Sequence, residues 1–305
     1  MPLVTTKEML KAALKGRFAV GAFNANNMEM VQAIVEAATE ERAPVILQVS
    51  QGAIRYAGLA MAAGIVKIAA ENTDVPVALH LDHGTDFDQN VLCLREGFTS
   101  LMFDGSDLPL EENIRISKTV TDIAHICGIP VETELGKVLK RGATPDEVLD
   151  AMAKPEDARR FIQETGADSL AVAVGSIHAL LSQSARVDIE RLEAIHQAIP
   201  ETPLVLHGAS GVIEESVVEA LDHGISKVNV ATYLAQAFTS AMHQHLNENP
   251  KVEDPRAHLV PAREAAKERV RAKIRLFRSA GTVSSGGGFK SPSTQHRVAD
   301  IGEPE

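Results

Sequence analysis

The sequence predicts an α/β protein whose eight parallel strands close into a (β/α)8 TIM barrel, with an extra C-terminal helix and a flexible tail. Short apolar runs alternate with helix-period segments from one end of the chain to the other. The runs are continuously apolar, which is typical of parallel strands covered on both faces. Eight such units indicate a closed barrel, whereas the rival doubly wound sheet usually has about five or six strands.

The eight predicted strands are, in order, FAVGAF (18–23), PVILQV (44–49), PVALHL (76–81), TSLMF (99–103), IPVETEL (129–135), SLAVAV (169–174), PLVLH (203–207) and KVNV (227–230). Amphipathic segments between them, such as MVQAIVEAATEE, NIRISKTVTDIAHICG and PEDARRFIQETGA, predict the helices that cover the barrel. After the eighth strand, ATYLAQAFTSAMHQHLNEN predicts its helix. PAREAAKERVRAKIRLF predicts a second, strongly charged helix that we expect at a rim or an oligomer contact rather than in the core.

We expect two regions, a barrel domain over residues 1–280 and a Gly/Ser-rich, flexible tail over 281–305. The net charge of −11 argues against nucleic acid and anionic membrane surfaces as partners. Cys93 and Cys127 are in no metal or redox spacing, and no apolar run approaches the ~18 residues of a membrane span. The start of the chain has no signal-peptide pattern, so we expect a soluble, cytoplasmic protein.

Polar residues cluster where the predicted strands end, which is where a barrel builds its active site. They are Asn24, Ser50, His80, Asp82, His83, Asp104, Glu132, Glu134, His178, His207 and Asn229. Three imidazoles from three separate strand ends are typical of a catalytic Zn²⁺ with one open position, and Co²⁺ or Mn²⁺ would also fit. The alternative for each histidine is a hydrogen-bonded core residue.

The loops after strands seven and eight, LHGASG (206–211) and VNVAT (228–232), predict a phosphate site. Gly208 and Gly211 let backbone N–H groups approach a ligand, while Ser210 and Thr232 supply hydroxyl donors. A metal beside a phosphate site suits a phosphorylated carbonyl compound.

Seven motifs, in this order, resemble the class II (metal-dependent) ketose-bisphosphate aldolases of the fructose- and tagatose-bisphosphate type. They are AFNANNMEMVQAIVEAA, VALHLDHG, SLMFDGS, VETELG, DSLAVAVGSIH, PLVLHGASG and KVNVAT, and the resemblance covers about residues 1–280. It implies reversible cleavage of a ketose (bis)phosphate, such as fructose or tagatose 1,6-bisphosphate, to dihydroxyacetone phosphate and glyceraldehyde 3-phosphate. It also implies a homodimer or homotetramer and, besides the divalent metal, a monovalent cation.

The resemblance also implies roles for individual residues. His83, His178 and His207 would bind the catalytic metal, and Asp82 would exchange the proton of the C4 hydroxyl. Asp104 and Glu134 would be carboxylates of a secondary metal site or carboxylates that support the metal ligands from behind. The substrate-binding residues would be Asn24, Ser50, Gly208, Ser210, Asn229 and Thr232. Ala231, within VNVAT, makes the chain more similar to the tagatose-bisphosphate branch than to the fructose-bisphosphate branch.

Two departures from the family's pattern bear on the substrate. The loop KVLKRGATPDEVLDAMAK (137–154) lacks the family's glycine-rich segment with its Glu-Asp pair, and Glu147 or Asp146 could replace that glutamate. His178 is followed by Ala179 where the family usually has glycine. Two alternatives stay open: a Schiff-base enzyme that uses Lys137 or Lys227, and a non-catalytic sugar-phosphate-binding barrel.

Overall fold

The computed structural model describes residues 3–177, 183–284 and 288–289. The strands in this part of the chain are β1 Val20–Asn24, β2 Val45–Ser50, β3 Val77–Asp82, β4 Leu101–Phe103, β5 Val131–Leu135, β6 Ser169–Val172, β7 Leu204–Leu206 and β8 Ile225–Val230. The helices are α1 Thr6–Gly16, α2 Met28–Glu40, α3 Gln51–Ala57, α4 Leu59–Glu71, α5 Phe87–Arg95, α6 Leu110–Ile126, α7 Pro145–Asp150, α8 Pro155–Thr165, α9 Ile189–Ala198, α10 Glu214–Leu221, α11 Thr232–Glu248 and α12 Pro255–Leu276, with a 3₁₀ turn at Ala209–Gly211. Each predicted strand is present, so the predicted barrel is confirmed.

The strands form one parallel sheet in the order β3-β2-β1-β8-β7-β6-β5-β4. Isolated parallel bridges between His80 and Ser100 and between Gly84 and Phe103 bring the two outer strands together and nearly close the barrel. A β-carbon at position 84 would lie 2.5 Å from the carbonyl oxygen of Met102. Closure at this seam therefore depends on a glycine after β3.

Helices cover the outside of the barrel, while its interior contains charged and polar side chains. The side chain of Asn27 caps α2 by accepting a hydrogen bond from the backbone N–H of Met30 at 3.0 Å. Inside the barrel the fully buried polar residues include Gln48, His80, Glu132 and Lys227. Buried charges require partners, so this interior must be a connected hydrogen-bond network.

The expectation that the last charged helix lies outside the core is wrong for one face of the helix, while its place at an oligomer contact stays a prediction. Helix α12 buries Ala262, Ala266, Val270 and Ile274, which recur every four residues along one face. Its charged face pairs with α2 of the same chain, for example through Lys267 Nζ and a Glu40 carboxylate oxygen at 3.2 Å. The small apolar stripe decides the packing, because it lets α12 lie close against the barrel.

The predicted tail, 281–305, lies mostly outside the described residues. Its first residues are tied to the loop between α2 and β2, where Gly281 N–H donates to the Glu41 carbonyl at 2.7 Å. Val283 is buried. The boundary at residue 280 stays a prediction.

In the described part of the chain, no single helix is long and apolar enough to cross a membrane. Helices α3 and α4 meet the length and composition criteria only as a pair bent by 101°.

Candidate active site

The end of β3 brings two neighbouring side chains, Asp82 and His83, to the same site. Adjacent residues of a continuing strand would point to opposite faces. His83 instead has a left-handed backbone conformation, with φ 49°, and Gly84 follows it. For a residue with a β-carbon this conformation costs about 1–2 kcal/mol, and such strain is typical of functional sites.

Three side chains from separate strand ends form the densest group of ligand-type atoms at the mouth of the barrel. These are His83, Glu134 and His207, whose ligand-type atoms all lie within 4.8 Å of one another. His207 Nδ1 lies 3.2 Å from His83 Nε2 and 3.6 Å from Glu134 Oε2. Two ligands that bind one Zn²⁺ tetrahedrally are about 3.4 Å apart, so the group fits a divalent ion.

A carboxylate lies behind each of the two imidazoles. His83 Nδ1 is 2.7 Å from Asp104 Oδ2, and His207 Nε2 is 2.9 Å from Glu132 Oε1. Such carboxylate–histidine pairs orient the ring so that its other nitrogen faces a metal. Asp104 therefore supports His83 from behind and is not a member of the group of three.

The described part of this site carries an excess of negative charge. Burial disfavours the charged imidazolium of His83, but Asp82 and Asp104 outweigh that effect and raise its pKa to about 10. Burial, reinforced by the charge of Asp104, raises the pKa of Glu134 to about 8. Oε2 of Glu134 is buried and has no hydrogen-bond partner among the described residues. A divalent cation would satisfy both the charge and this oxygen.

Asp82 is held by two amide side chains on either side of it. Asn24 Nδ2 donates to Asp82 Oδ2 at 3.2 Å, and Asn229 Nδ2 donates to Asp82 Oδ1 at 3.3 Å. Asp82 Oδ1 is 3.9 Å from His83 Nε2, so the carboxylate lies beside the candidate metal group. An oriented carboxylate next to a cation can exchange a proton with a bound hydroxyl.

The loops after β7 and β8 lie side by side, as the sequence predicts. The backbone N–H of Tyr233 donates to Ser210 Oγ at 3.4 Å, which connects the two loops. Gly208 has φ 67°, and Thr232 is the first residue of α11, which has no side-chain N-cap. The positive end of the α11 dipole therefore lies at these two loops, where it favours an anion.

Ser50 lies at the edge of the mouth of the barrel and is not part of the group formed by His83, Glu134 and His207. Its hydroxyl accepts a hydrogen bond from Ala53 N–H at 3.2 Å and so caps α3. It also lines a cavity of about 450 Å³ together with Asn26, Tyr56 and Phe238. The cavity gives room for a ligand next to Ser50.

One predicted ligand, His178, lies outside the described residues, as does Ala179. The two lysines of the Schiff-base alternative are described. Lys137 is half-exposed and forms a salt bridge with Asp107, away from the candidate metal ligands. Lys227 is fully buried and hydrogen-bonded to Glu132 at 2.7 Å, so it is closed to a substrate carbonyl.

The structure assigns Glu147 a local structural role. Its carboxylate accepts hydrogen bonds from the backbone N–H and the hydroxyl of Thr144, at 2.7 and 2.9 Å, in a capping box at the start of α7. We therefore expect Glu147→Gln to leave solvent exchange of the dihydroxyacetone phosphate C–H proton unchanged. Exchange is measured by NMR in deuterated buffer, and loss of exchange in this variant would identify Glu147 as the missing base.

Gln48 is absent from the sequence-based site, and Lys227 appears there only as a Schiff-base candidate. Gln48 Nε2 donates to Asn24 Oδ1 at 2.7 Å, and Asn24 in turn holds Asp82. Lys227 holds Glu132 beneath His207. The signal that could have found them is the two-residue period of a strand, since Gln48 precedes Ser50 by two positions and Lys227 precedes Asn229 by two.

Comparisons with known proteins agree with this geometry. A family model described as fructose-bisphosphate aldolase class-II matches residues 4–282. A protein named fructose-bisphosphate aldolase from Thermus caldophilus is 43% identical and covers 92% of this chain and 99% of its own. One of the same name from Geobacillus stearothermophilus is 43% identical, with coverages of 93% and 100%. The crystal structure of the YdjI aldolase from Escherichia coli K12 is 33% identical, with a TM-score of 0.80 over 92% of this chain and 98% of that one.

Proposed function

The chain belongs to the class-II fructose-bisphosphate aldolase family, and from that premise we propose that it cleaves fructose 1,6-bisphosphate reversibly. It is an aldolase, a lyase that breaks a carbon–carbon bond. The products would be dihydroxyacetone phosphate and glyceraldehyde 3-phosphate. One observation carries the proposal: His83, Glu134 and His207 converge beside Asp82 at the mouth of the barrel.

The family depends on a divalent metal ion. In this protein that ion would be Zn²⁺, held by His83 and His207 with Glu134 beside them. We include His178 as a further ligand on the strength of the resemblance. Imidazole-rich sites favour Zn²⁺, and Co²⁺ or Mn²⁺ are the alternatives. An ion held there would supply Lewis-acid polarisation of the ketose carbonyl, worth several kcal/mol. The monovalent cation stays a prediction without support of its own.

Asp82 carries the proton transfer in this proposal. In cleavage its carboxylate takes the proton of the C4 hydroxyl as the C3–C4 bond breaks, and the electron pair of that bond passes to the C2 carbonyl as an enediolate. In condensation the enediolate carbon attacks the aldehyde, and Asp82 returns the proton to the new alkoxide. Asn24 and Asn229 hold the two carboxylate oxygens, so the group needs little reorganisation before it reacts. Gln48 keeps Asn24 in place from the interior of the barrel.

The phosphate of the substrate would bind the loops after β7 and β8. Replacing Gly208 by alanine places a β-carbon 3.0 Å from the Ile177 carbonyl oxygen at φ 67°. We expect Gly208→Ala to raise KM about tenfold or more, because one hydrogen bond to a charged group is worth about 1.5–3 kcal/mol. Steady-state kinetics with fructose 1,6-bisphosphate measures this.

Gly166→Ala is the matched control, since Gly166 has φ 69° and no atom within 4 Å of an added β-carbon. Both variants should lose about 1 kcal/mol of stability from backbone strain. An equal rise of KM in the two variants would show that Gly208 acts through stability and not through the phosphate.

The proposal includes a homodimer or homotetramer in the cytoplasm. Tyr56, Met61 and Ile68 on α3 and α4 are 83%, 63% and 64% exposed, and such neighbouring apolar side chains favour an interface with a second copy. Cys93 and Cys127 are unpaired, which supports a reducing compartment. Light scattering measures the assembly, and a monomer of 32.7 kDa would contradict it.

The substrate is tested by offering the purified protein fructose 1,6-bisphosphate, tagatose 1,6-bisphosphate and ketose 1-phosphates, with triose phosphate detected as the product. We expect the highest kcat/KM with fructose 1,6-bisphosphate. A preference for the tagatose compound or for a ketose 1-phosphate would keep the reaction and change the substrate. Binding without turnover of any of them would favour the sugar-phosphate-binding barrel.

A further inference from the structure

We infer that Lys227 is a positioning residue for the metal site: acting through Glu132, it sets the ring tautomer of His207 that presents the Nδ1 lone pair to the ion. This inference rests on the metal site of the proposed function. It concerns a buried cation to which the reaction described above assigns no step.

Lys227 lies inside the barrel, one inward-facing position below Asn229 on β8. Its side chain is fully buried, and its ammonium group is 2.7 Å from Glu132 Oε2 and 3.3 Å from His80 Nε2. Burying an ammonium group is costly unless it is paired and hydrogen-bonded. Lys227 is therefore committed to these two partners rather than to a substrate.

His80 fixes the place of Lys227 without competing for Glu132. Burial, together with the nearby charge of Lys227, holds the pKa of His80 well below its usual value, so the ring is neutral. His80 Nδ1 is 2.8 Å from Ser100 Oγ. Nε2 can then accept a hydrogen bond from Lys227, which leaves another N–H of the ammonium group to donate to Glu132.

Glu132 connects Lys227 to His207. One carboxylate oxygen accepts from Lys227, and the other lies 2.9 Å from His207 Nε2. The Glu132 carboxylate thus bridges the two residues, and Lys227 holds it where Oε1 can accept a hydrogen bond from His207 Nε2. His207 must then carry its proton on Nε2, so that Nδ1 has a lone pair directed at His83 and Glu134.

Asn229 and Glu132 compete for a hydrogen bond with His207 Nε2, and we infer that Lys227 favours Glu132. Asn229 Nδ2 lies 3.1 Å from the same nitrogen, His207 Nε2. If Asn229 donated there, the His207 proton would move to Nδ1 and the ring could not bind a metal through that atom. The bond to Glu132 prevails because it is the shorter contact, 2.9 against 3.1 Å, and hydrogen bonds to carboxylates are stronger than those between neutral groups. Lys227 holds the carboxylate in the position that makes this bond.

The first experiment measures zinc affinity by competition with a chromogenic chelator, in the absence of substrate. Lys227→Met keeps the length and removes the charge, and we expect zinc to bind about 10–100-fold more weakly. Lys273→Met is the matched control. Lys273, on α12, is also a buried lysine, and its ammonium group is 2.9 Å from a carboxylate oxygen of Glu214. We expect the control to keep wild-type zinc affinity. Unchanged zinc affinity in Lys227→Met, or an equal loss in the control, would overturn the inference.

A double-mutant cycle separates positioning from general destabilisation. Because Lys227 acts through Glu132, adding Lys227→Met to Glu132→Gln should weaken zinc binding no further. Additive losses from the two changes would contradict the relay. The cycle uses zinc affinity alone, so its outcome is independent of which ketose phosphate the enzyme cleaves.

A third measurement needs no folded Lys227 variant. Long-range ¹H–¹⁵N spectra of the metal-free wild-type protein, with His207 assigned by the His207→Gln variant, report which ring nitrogen carries the proton. We expect a proton on Nε2 and none on Nδ1. Any other pattern would overturn the inference even if Lys227→Met failed to fold.

Discussion

Asp82→Ala is expected to reduce turnover by about 10²–10⁴ while the protein stays folded and keeps its divalent metal ion. The reason is that a positioned acid–base group contributes about this much, and Asp82 is the carboxylate that two amides hold beside the metal group. The candidate ligands His83, Glu134 and His207 are untouched by the change. Steady-state kinetics in the cleavage direction and metal analysis on the same sample measure the two quantities.

Asp88→Ala is the control for this prediction, because Asp88 is an exposed carboxylate in the first turn of the next helix, α5. It should leave turnover and zinc content at wild-type values. Near-normal turnover in Asp82→Ala would mean that Asp82 has a structural role and that another group moves the C4 proton. A loss of zinc in Asp82→Ala would also count against the assignment, since the effect on rate would then come from the metal.

Removing the divalent ion with a chelator is expected to lower turnover roughly 10³-fold or more, because several kcal/mol of stabilisation are lost at 1.36 kcal/mol per tenfold. Adding Zn²⁺ back should restore the rate, and Co²⁺ or Mn²⁺ should restore part of it. His207→Ala should show the same loss without a chelator, together with a lower zinc content. Turnover before and after dialysis, with metal analysis, measures this.

His125→Ala provides the matched histidine control. His125 lies on the outside of the barrel, where its Nε2 is hydrogen-bonded to Asp168 Oδ2 at 2.7 Å. Its removal should change neither metal content nor turnover. Full activity in chelated protein, with inactivation by borohydride in the presence of substrate, would instead support the lysine mechanism. The burial of Lys227 and the pairing of Lys137 argue against that result.

Much of the fold could be predicted from local patterns, because each strand is a short apolar run and each helix has its own period. The strand β3 shows how far this extends, since an apolar run that ends in His80, Asp82 and His83 is unusual without a site. The same holds for LHGASG, where glycines and a serine follow a buried strand. Residue type and position at a strand end are properties of the chain alone, so the sequence indicates them directly.

The partners of these residues depend on pairs that are far apart in the chain. His207 and Glu132 meet only because β7 and β5 flank β6 in the same barrel. Their separation of 75 residues leaves no trace in any local pattern. The sequence therefore marks Glu132 as a polar residue at a strand end without indicating that it binds His207.

Because periodicity and residue chemistry act locally, the sequence alone indicates a barrel with histidines, carboxylates and a glycine-containing loop at the strand ends. Only the tertiary structure decided that His83 turns back at φ 49° to share a site with Asp82, and that α12 packs on α2. It also decided that Lys227 is a buried partner of Glu132. The physical reason is that burial and hydrogen-bond direction belong to groups brought together by closure of the barrel, and closure joins residues that local patterns cannot connect.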